Sequence, residues 1–376
     1  MRLASPMSPL RAAVRRSWPT LLLASTGLSA LGCSASSEPG AAAPGTGSSE
    51  PGVRFVGRVD LRNPDEPRFA WSGTGFVVRF SGTELAVRLG GGQQYTVVVD
   101  GVVGPTLISS GGADTVASDL APGEHLVEIY RRTEAHLGES TFRGVVLGEG
   151  QLLAPPPAPE RRIELIGDSI SCGYGNEGED MNCGFSADTE NHYLTYGALA
   201  ARALDAELST IAWSGKGVVC NYGDDANSCV DPLPVFYDRV LPGDPSSTWD
   251  FSSWQPHAVV INLGTNDFST EGDPPQEEFE AAYVALLERV REGYPDALIL
   301  CTIGPLLAGE DLSGAREYIQ NAVDARTAAG DTNVKTFEFE PTDPNDGYGC
   351  DWHPSLRTHE VMAERLANVL RDELGW

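Results

Sequence analysis

From residue 53 to residue 150 the apolar positions fall in short runs without a helical period. Stretches rich in β-branched and aromatic residues occupy 76–80, 85–89, 95–99, 125–130 and 142–147. Turn pairs separate them: Ser81-Gly82, Gly90-Gly91-Gly92, Asp100-Gly101 and Pro122-Gly123. Short strands at this spacing predict an all-β sandwich or jelly roll over 53–150. Pro155-Pro156-Pro157-Ala158-Pro159, within a linker over 151–160, is a stiff spacer. From 161 to 376 the pattern changes. Strands are expected over 163–166, 208–212, 258–263, 297–301 and 334–339. Helices are expected over 193–204, 277–291, 315–328 and 359–370. The nearly continuous apolar run at 258–263 suits a central parallel strand. The alternation predicts a parallel α/β domain, with ligands at the carboxyl ends of the strands.

The N-terminus has another character. Arg11, Arg15 and Arg16 precede a 12-residue apolar stretch at 21–32, too short to span a bilayer. It ends in Ser29-Ala30-Leu31-Gly32-Cys33, and residues 1–33 resemble a bacterial lipoprotein signal in which Cys33 becomes lipidated. Ala30 stands where such signals prefer leucine, and ordinary cleavage near Ala30 or Ala35 is the alternative. Either way the mature protein is expected to be exported, as an envelope lipoprotein or in secreted form. Residues 34–52 are nearly all Ser, Ala, Gly, Pro and Glu and read as a flexible tether.

Charge narrows the partners. The chain has 26 basic and 53 acidic residues, a net charge of −27. Without residues 1–33 it keeps 22 basic against 53 acidic residues, a net charge of −31. Such a surface repels phosphate backbones, so nucleic acid is excluded as a partner, and anionic lipid and acidic polysaccharide are disfavoured. Membrane contact is expected only through the lipid anchor. Six cysteines follow Cys33, which an exported chain can pair. Cys220–Cys229 is the first expected bridge and Cys301–Cys350 the second. Acidic groups at Glu177, Glu179, Asp180 and Asp224-Asp225 fit no EF-hand loop, so no metal is expected.

Candidate chemistry sits at the ends of the expected strands. The first runs into Gly167-Asp168-Ser169, where a serine can act as a nucleophile or as a helix cap. The second ends in Trp213-Ser214-Gly215-Lys216-Gly217, and glycine there lets a backbone N–H approach a ligand. The third ends in Gly264-Thr265-Asn266-Asp267, where an Asn amide can face an oxyanion. The last is followed by Asp351-Trp352-His353-Pro354, a carboxylate two residues before an imidazole.

Four such pieces in this order resemble the SGNH hydrolases, the GDSL esterase superfamily. The resemblance covers about 160–376 and implies a flavodoxin-like three-layer α/β domain. It makes Ser169 the nucleophile and His353 the general base, with Asp351 orienting it. Gly215 and Asn266 join the Ser169 N–H as an oxyanion hole. No cofactor is implied. The nonapeptide at 167–175, Ser214–Gly217, Gly264–Asp267 and Asp351–Pro354, with a β-domain in front, resemble carbohydrate esterase family 2 more narrowly. That family implies removal of O-acetyl groups from neutral polysaccharide of the acetylxylan or glucomannan type. Some of its members lack the triad Asp, but the presence of Asp351 favours a full triad here; a surface turn residue is the alternative. Trp352, Asp168, Asp267 and Lys216 are candidates for binding substrate, against the alternatives of packing for Trp352, a helix cap for Asp168, holding the Asn266 turn or solvent exposure for Asp267, and solvent exposure for Lys216. Tyr174, Tyr222, Trp249 and Trp254 are read as loop packing. A monomer is expected. A GDSL lipase or lysophospholipase and a surface carbohydrate-binding protein remain the competing functions.

Overall fold

The computed structural model describes residues 52–224, 228–269 and 272–376. The signal segment, Cys33 and the tether up to residue 51 lie outside the described residues.

The N-terminal part is a two-sheet β-sandwich. One sheet runs in the order Val53–Val56, Gly75–Gly82, Gly123–Arg131, Gln94–Val99 and Val102–Val103. Gly150–Leu153 also pairs with Gly75–Gly82, and Leu107–Ile108 with Gln94–Val99. The second sheet runs Arg68–Phe69, Ser140–Leu147, Leu85–Gly90 and Ala113–Ala117. Every pairing between these strands is antiparallel. The alternation Phe76, Val78, Phe80 sends one face inward against Val87, Leu89, Val127 and Ile129. Phe142 meets Phe76 and Phe55 edge-on, with centroids 4.8 and 5.4 Å apart. Each of the five expected runs is a strand. The strands that the pattern missed are mostly short or partly exposed.

The C-terminal part is a five-stranded parallel sheet in the order Ala206–Ala212, Arg161–Gly167, Ala258–Asn262, Leu298–Ile303 and Val334–Glu338. Both faces are covered. Ile163, Leu165, Val260 and Leu300 pack against the helices Tyr196–Ala203 and Leu356–Leu374. Ile166, Val259, Ile261 and Ile299 face the helices Gln276–Gly293 and Gly309–Ala328. Strand periodicity of two thus splits one apolar sequence between two helical layers. This is the expected parallel α/β fold.

The two parts share one core. Ala70, Trp71 and Ala135 of the sandwich lie in the same apolar cluster as Leu233, Tyr237 and Ile211. Beside it, Arg58 of the sandwich pairs with Glu164 of the first parallel strand at 3.0 Å, both side chains without solvent access. The Tyr237 and Tyr294 hydroxyls donate to the same carboxylate at 2.9 and 2.8 Å. The Arg58 guanidinium also donates to the Tyr237 carbonyl and lies 5.2 Å from the Tyr237 and Trp249 rings. A charge in a buried strand is tolerated only when it is paired and hydrogen-bonded.

One expected disulfide is present and one is not. Cys220 and Cys229 are bridged. Cys350 pairs with Cys183 instead of Cys301, with Cα atoms 4.6 Å apart. Cys301 lies mid-strand in the core, packed against the helical layer as a free thiol. Cys350 lies at the rim against the segment after residue 173, where its N–H donates to the Gly175 carbonyl at 3.0 Å. The core separates Cys301 from that rim, so sequence spacing alone misassigned the pair.

Arg58→Ala leaves Glu164 buried without its cation. It should lower the free energy of unfolding by about 3–5 kcal/mol, read from urea denaturation. A loss below about 1 kcal/mol would show that this pair does not fasten the two domains.

Candidate active site

The strand Arg161–Gly167 ends at Asp168, whose carboxylate caps the single helical turn Ser169–Cys172 by accepting the Ile170 N–H at 3.0 Å. That turn lifts the Ser169 hydroxyl to the carboxyl edge of the sheet. There His353 Nε2 lies 2.8 Å from Ser169 Oγ. The second parallel strand delivers Ser214 and Gly215 to the same edge, and the third delivers Asn266 on the turn Thr265–Phe268. Ser169, Gly215, Asn266 and His353 all line one cleft of about 840 Å³. Four motifs spread over 185 residues of sequence therefore meet where parallel strands end.

The imidazole is held by backbone. His353 Nδ1 lies 3.2 Å from the Cys350 carbonyl and 3.1 Å from the Asp351 carbonyl. Carbonyls only accept, so Nδ1 carries the proton and Nε2 presents its lone pair to the serine hydroxyl. Tyr174 stacks on the ring at 4.1 Å between centroids. Burial pushes the His353 imidazole below its usual value, so it is neutral near pH 7.

The orienting role expected of the Asp351 carboxylate is not what the geometry shows. Asp351 and Trp352 both adopt left-handed backbone, with φ of 50° and 65°. This turn brings the Asp351 carbonyl to the imidazole and swings the carboxylate away, where it accepts the Tyr174 hydroxyl at 2.6 Å. The sequence spacing of two residues was read correctly as proximity, but the backbone conformation chose the carbonyl over the side chain. The same turn projects Trp352 into the open, 58% exposed on the cleft wall.

The residues expected to supply the oxyanion donors, Ser169, Gly215 and Asn266, line the cleft together. Gly215 has φ of 78°, and an added Cβ would meet no atom within 4 Å, projecting into open space. Glycine keeps that approach clear and accepts the left-handed backbone. Among the described residues no group occupies the N–H of Ser169 or of Gly215. Asn266 Nδ2 donates to the Lys216 carbonyl at 2.9 Å and to Asp168 Oδ2 at 3.3 Å, so both its hydrogens have acceptors in this structure.

Three of the four expected substrate-binding residues, Asp168, Asp267 and Lys216, do not line the cleft. Asp168 is buried under Ser169, and burial pushes its carboxyl up to about 7. Asp267 is buried too, accepting the N–H groups of Val218, Val219 and Cys220 at 2.8–3.1 Å, so it folds the loop after Gly215. Burial raises its carboxyl to about 6 against those donors. Lys216 turns away from the cleft and donates to the Asp231 carbonyl at 2.7 Å. In each case a short local bond satisfies the charge before substrate could. Trp352 does line the cleft, joined by Tyr174, Tyr222 and Tyr348. Tyr222, 67% exposed, stands on the loop closed by the Cys220–Cys229 bridge. Trp249 and Trp254 are buried elsewhere, as packing residues.

One group of the site was invisible in sequence. Glu134, from the loop after the sandwich strand Gly123–Arg131, lies buried against Ser214, and Glu190 lies beside it. Glu134, Cys172 and Glu190 place donor atoms within 4.8 Å of one another. The set does not suit a metal ion. Both Glu134 oxygens are taken by Ser214, while burial pushes the Cys172 thiol and the Glu190 carboxyl well up into their neutral forms. Glu190 instead stays neutral beside the Glu134 carboxylate, because burial and that neighbouring negative charge both disfavour its ionised form. Glu134 lies in a charged run, Arg131 to Glu134, that reads as a solvated turn.

Comparison with known proteins agrees with this architecture. Residues 55–157 match the carbohydrate esterase 2 N-terminal family, and residues 165–361 the GDSL-like lipase/acylhydrolase family. The chain is 44% identical over 332 residues to the cellulase/esterase CelE of Acetivibrio thermocellus, covering 87% of this chain but 40% of that protein. It is 28% identical to an acetylxylan esterase / glucomannan deacetylase of Cellvibrio japonicus, covering 87% of this chain and 90% of that one. The structure of a family two carbohydrate esterase from Clostridium thermocellum in complex with cellohexaose superimposes with a TM-score of 0.83 at 42% identity. That match covers 86% of this chain and all of the other. With both domains matched in order and the four motifs gathered in one cleft, the chain belongs to carbohydrate esterase family 2.

Proposed function

We propose that the protein is a serine esterase that removes O-acetyl groups from neutral polysaccharide of the acetylxylan or glucomannan type. The observation that carries this reading is the 2.8 Å contact of Ser169 Oγ with a His353 whose other nitrogen is fixed by two carbonyls. Ser169 attacks the acetyl carbonyl as its proton passes to His353 Nε2. The N–H groups of Ser169 and Gly215 receive the oxyanion, and the Asn266 amide joins them by exchanging its long 3.3 Å bond to Asp168 for the oxyanion. The imidazolium then gives its proton to the departing sugar oxygen. Water, deprotonated by His353, attacks the acetyl-enzyme and frees acetate and Ser169. The backbone carbonyls of Cys350 and Asp351 stabilise the imidazolium in the place of a triad carboxylate.

The cleft supports a sugar rather than a long acyl chain. Trp352, Tyr222 and Tyr348 offer flat aromatic faces at its mouth, suited to stacking on pyranose rings. The net charge of −31 outside residues 1–33 tolerates a neutral glycan and repels anionic lipid. Related proteins are named for acetylxylan and glucomannan, and one is solved with cellohexaose. The protein further reads as exported and tethered through a lipid on Cys33, with 34–52 holding the two domains away from the bilayer. Among the described residues no helix is long and apolar enough to cross a membrane.

Acetate release from acetylated xylan and glucomannan is expected from the wild type. Ser169→Ala should lose at least about 10³-fold in kcat while keeping its melting temperature. An active Ser169→Ala variant, or a wild type that prefers C8–C12 over C2 acyl esters, would rule the reading out. Labelled palmitate fed to an expressing bacterium should enter the wild-type chain and not Cys33→Ser. Equal labelling of both would refute the anchor.

A further inference from the structure

Gly215 owes its place to a residue from the other domain. Glu134 is buried without solvent access. Its Oε2 accepts the Ser214 N–H at 2.8 Å, and its other oxygen accepts the Ser214 hydroxyl. Its own backbone is anchored on both sides. Arg131 Nη2 donates to the Glu134 carbonyl at 2.8 Å, and the Glu134 N–H donates to the Glu190 carboxyl at 3.2 Å. Ser214 immediately precedes Gly215. A loop that turns through a left-handed glycine has little intrinsic stiffness, so something outside it has to hold the 214–215 peptide.

We propose that Glu134 is a positioning residue for the ester hydrolysis read above: it clamps Ser214 at N–H and hydroxyl from across the domain boundary and so aims the Gly215 N–H at the oxyanion. The inference rests on that reading of the site. A donor aimed slightly wrong loses stabilisation of the transition-state oxyanion while ground-state binding hardly changes, and catalysis is sensitive to such small displacements. The β-sandwich thereby becomes part of the esterase rather than an appended module. It also accounts for the buried acidic pair, which no packing argument requires.

The clamp is charged. Burial pushes the Glu134 carboxyl up, but hydrogen bonds from His136, with Nδ1 at 3.2 Å, and from Ser214 outweigh it and hold it below the ordinary range. The groups facing it are Glu190, His136, Cys172, Arg131 and Ser214. Glu190 takes the neutral form, so the pair carries a single negative charge. That charge favours the imidazolium of His353 from a distance, adding to the stronger effect of the Asp351 carboxylate; the ring itself touches Ser169, Tyr174 and the carbonyls of Cys350 and Asp351. Removing it lowers the pKa of the base, and the acid limb of kcat/KM moves to lower pH.

Glu134→Gln keeps the shape and loses the charge and one acceptor. With p-nitrophenyl acetate as probe, kcat should fall about tenfold to hundredfold with KM within about twofold, and the acid limb should shift to lower pH. A kcat within about threefold of wild type, or a loss confined to KM with an unmoved limb, overturns the proposal. If Glu134→Gln does not fold, Ser214→Ala carries the test. It removes the hydroxyl end of the clamp and should lower kcat about threefold to tenfold at unchanged KM; an unchanged kcat overturns the proposal. A wild type inert toward acetyl esters would sink the ester reading and this clamp with it, whereas an active wild type with an unaffected variant sinks the clamp alone.

Discussion

Two carboxylates at the seam between the sandwich and the parallel sheet organise the molecule. Glu164 lies in the first parallel strand and is neutralised by Arg58 of the sandwich. Glu134 lies in the sandwich and is bound by Ser214 of the parallel domain. Each domain thus supplies a charge that the other must satisfy. Losing either contact leaves a buried carboxylate short of a main partner, which is far costlier than losing an exposed pair. The seam is therefore specific as well as apolar, and the cleft is built on it.

The catalytic geometry follows from ordinary features of a parallel sheet. Strand ends at one edge present Ser169, Gly215 and Asn266 within reach of one another, and the loop after the last strand brings back His353. What distinguishes this site is the turn at Asp351 and Trp352. Two successive non-glycine residues in left-handed backbone are an uncommon and mildly unfavourable arrangement. Here the Cys183–Cys350 bridge and the Asp351 N–H, donated to the Cys183 carbonyl at 2.9 Å, hold that turn in place. The result is a base oriented by peptide carbonyls, a side-chain carboxylate tied to Tyr174, and an indole exposed on the cleft wall.

Much of this was legible in the chain. The alternating helices and strands after residue 160 and the isolated β-runs before it reflect burial on two faces or on one, which leaves a direct trace in residue order. Ser169, Gly215, Asn266 and His353 were legible because the chemistry needs those residue types at strand ends. The readings that stayed open have a common cause. For Asp351, Asp168, Asp267 and Lys216, charged residues next to the site, the chain allowed a cleft role and a local role alike, because sequence shows adjacency but not direction. Whether each side chain faces the cleft or a backbone donor depends on one or two dihedral angles. Glu134 and the Cys183–Cys350 bridge were hidden for a different reason. They join segments 80 and 167 residues away from their partners, through a tertiary arrangement that no local pattern encodes.

His353 takes its orientation from peptide carbonyls rather than from the Asp351 carboxylate. The kcat/KM of Asp351→Asn on an acetyl ester separates the two. Asparagine accepts left-handed backbone and can still accept the Tyr174 hydroxyl, so the turn is kept while the charge is removed. If carbonyls orient His353, the variant should retain activity within about tenfold of wild type. Loss of about 10⁴-fold, the usual consequence of removing a triad carboxylate, would contradict the account.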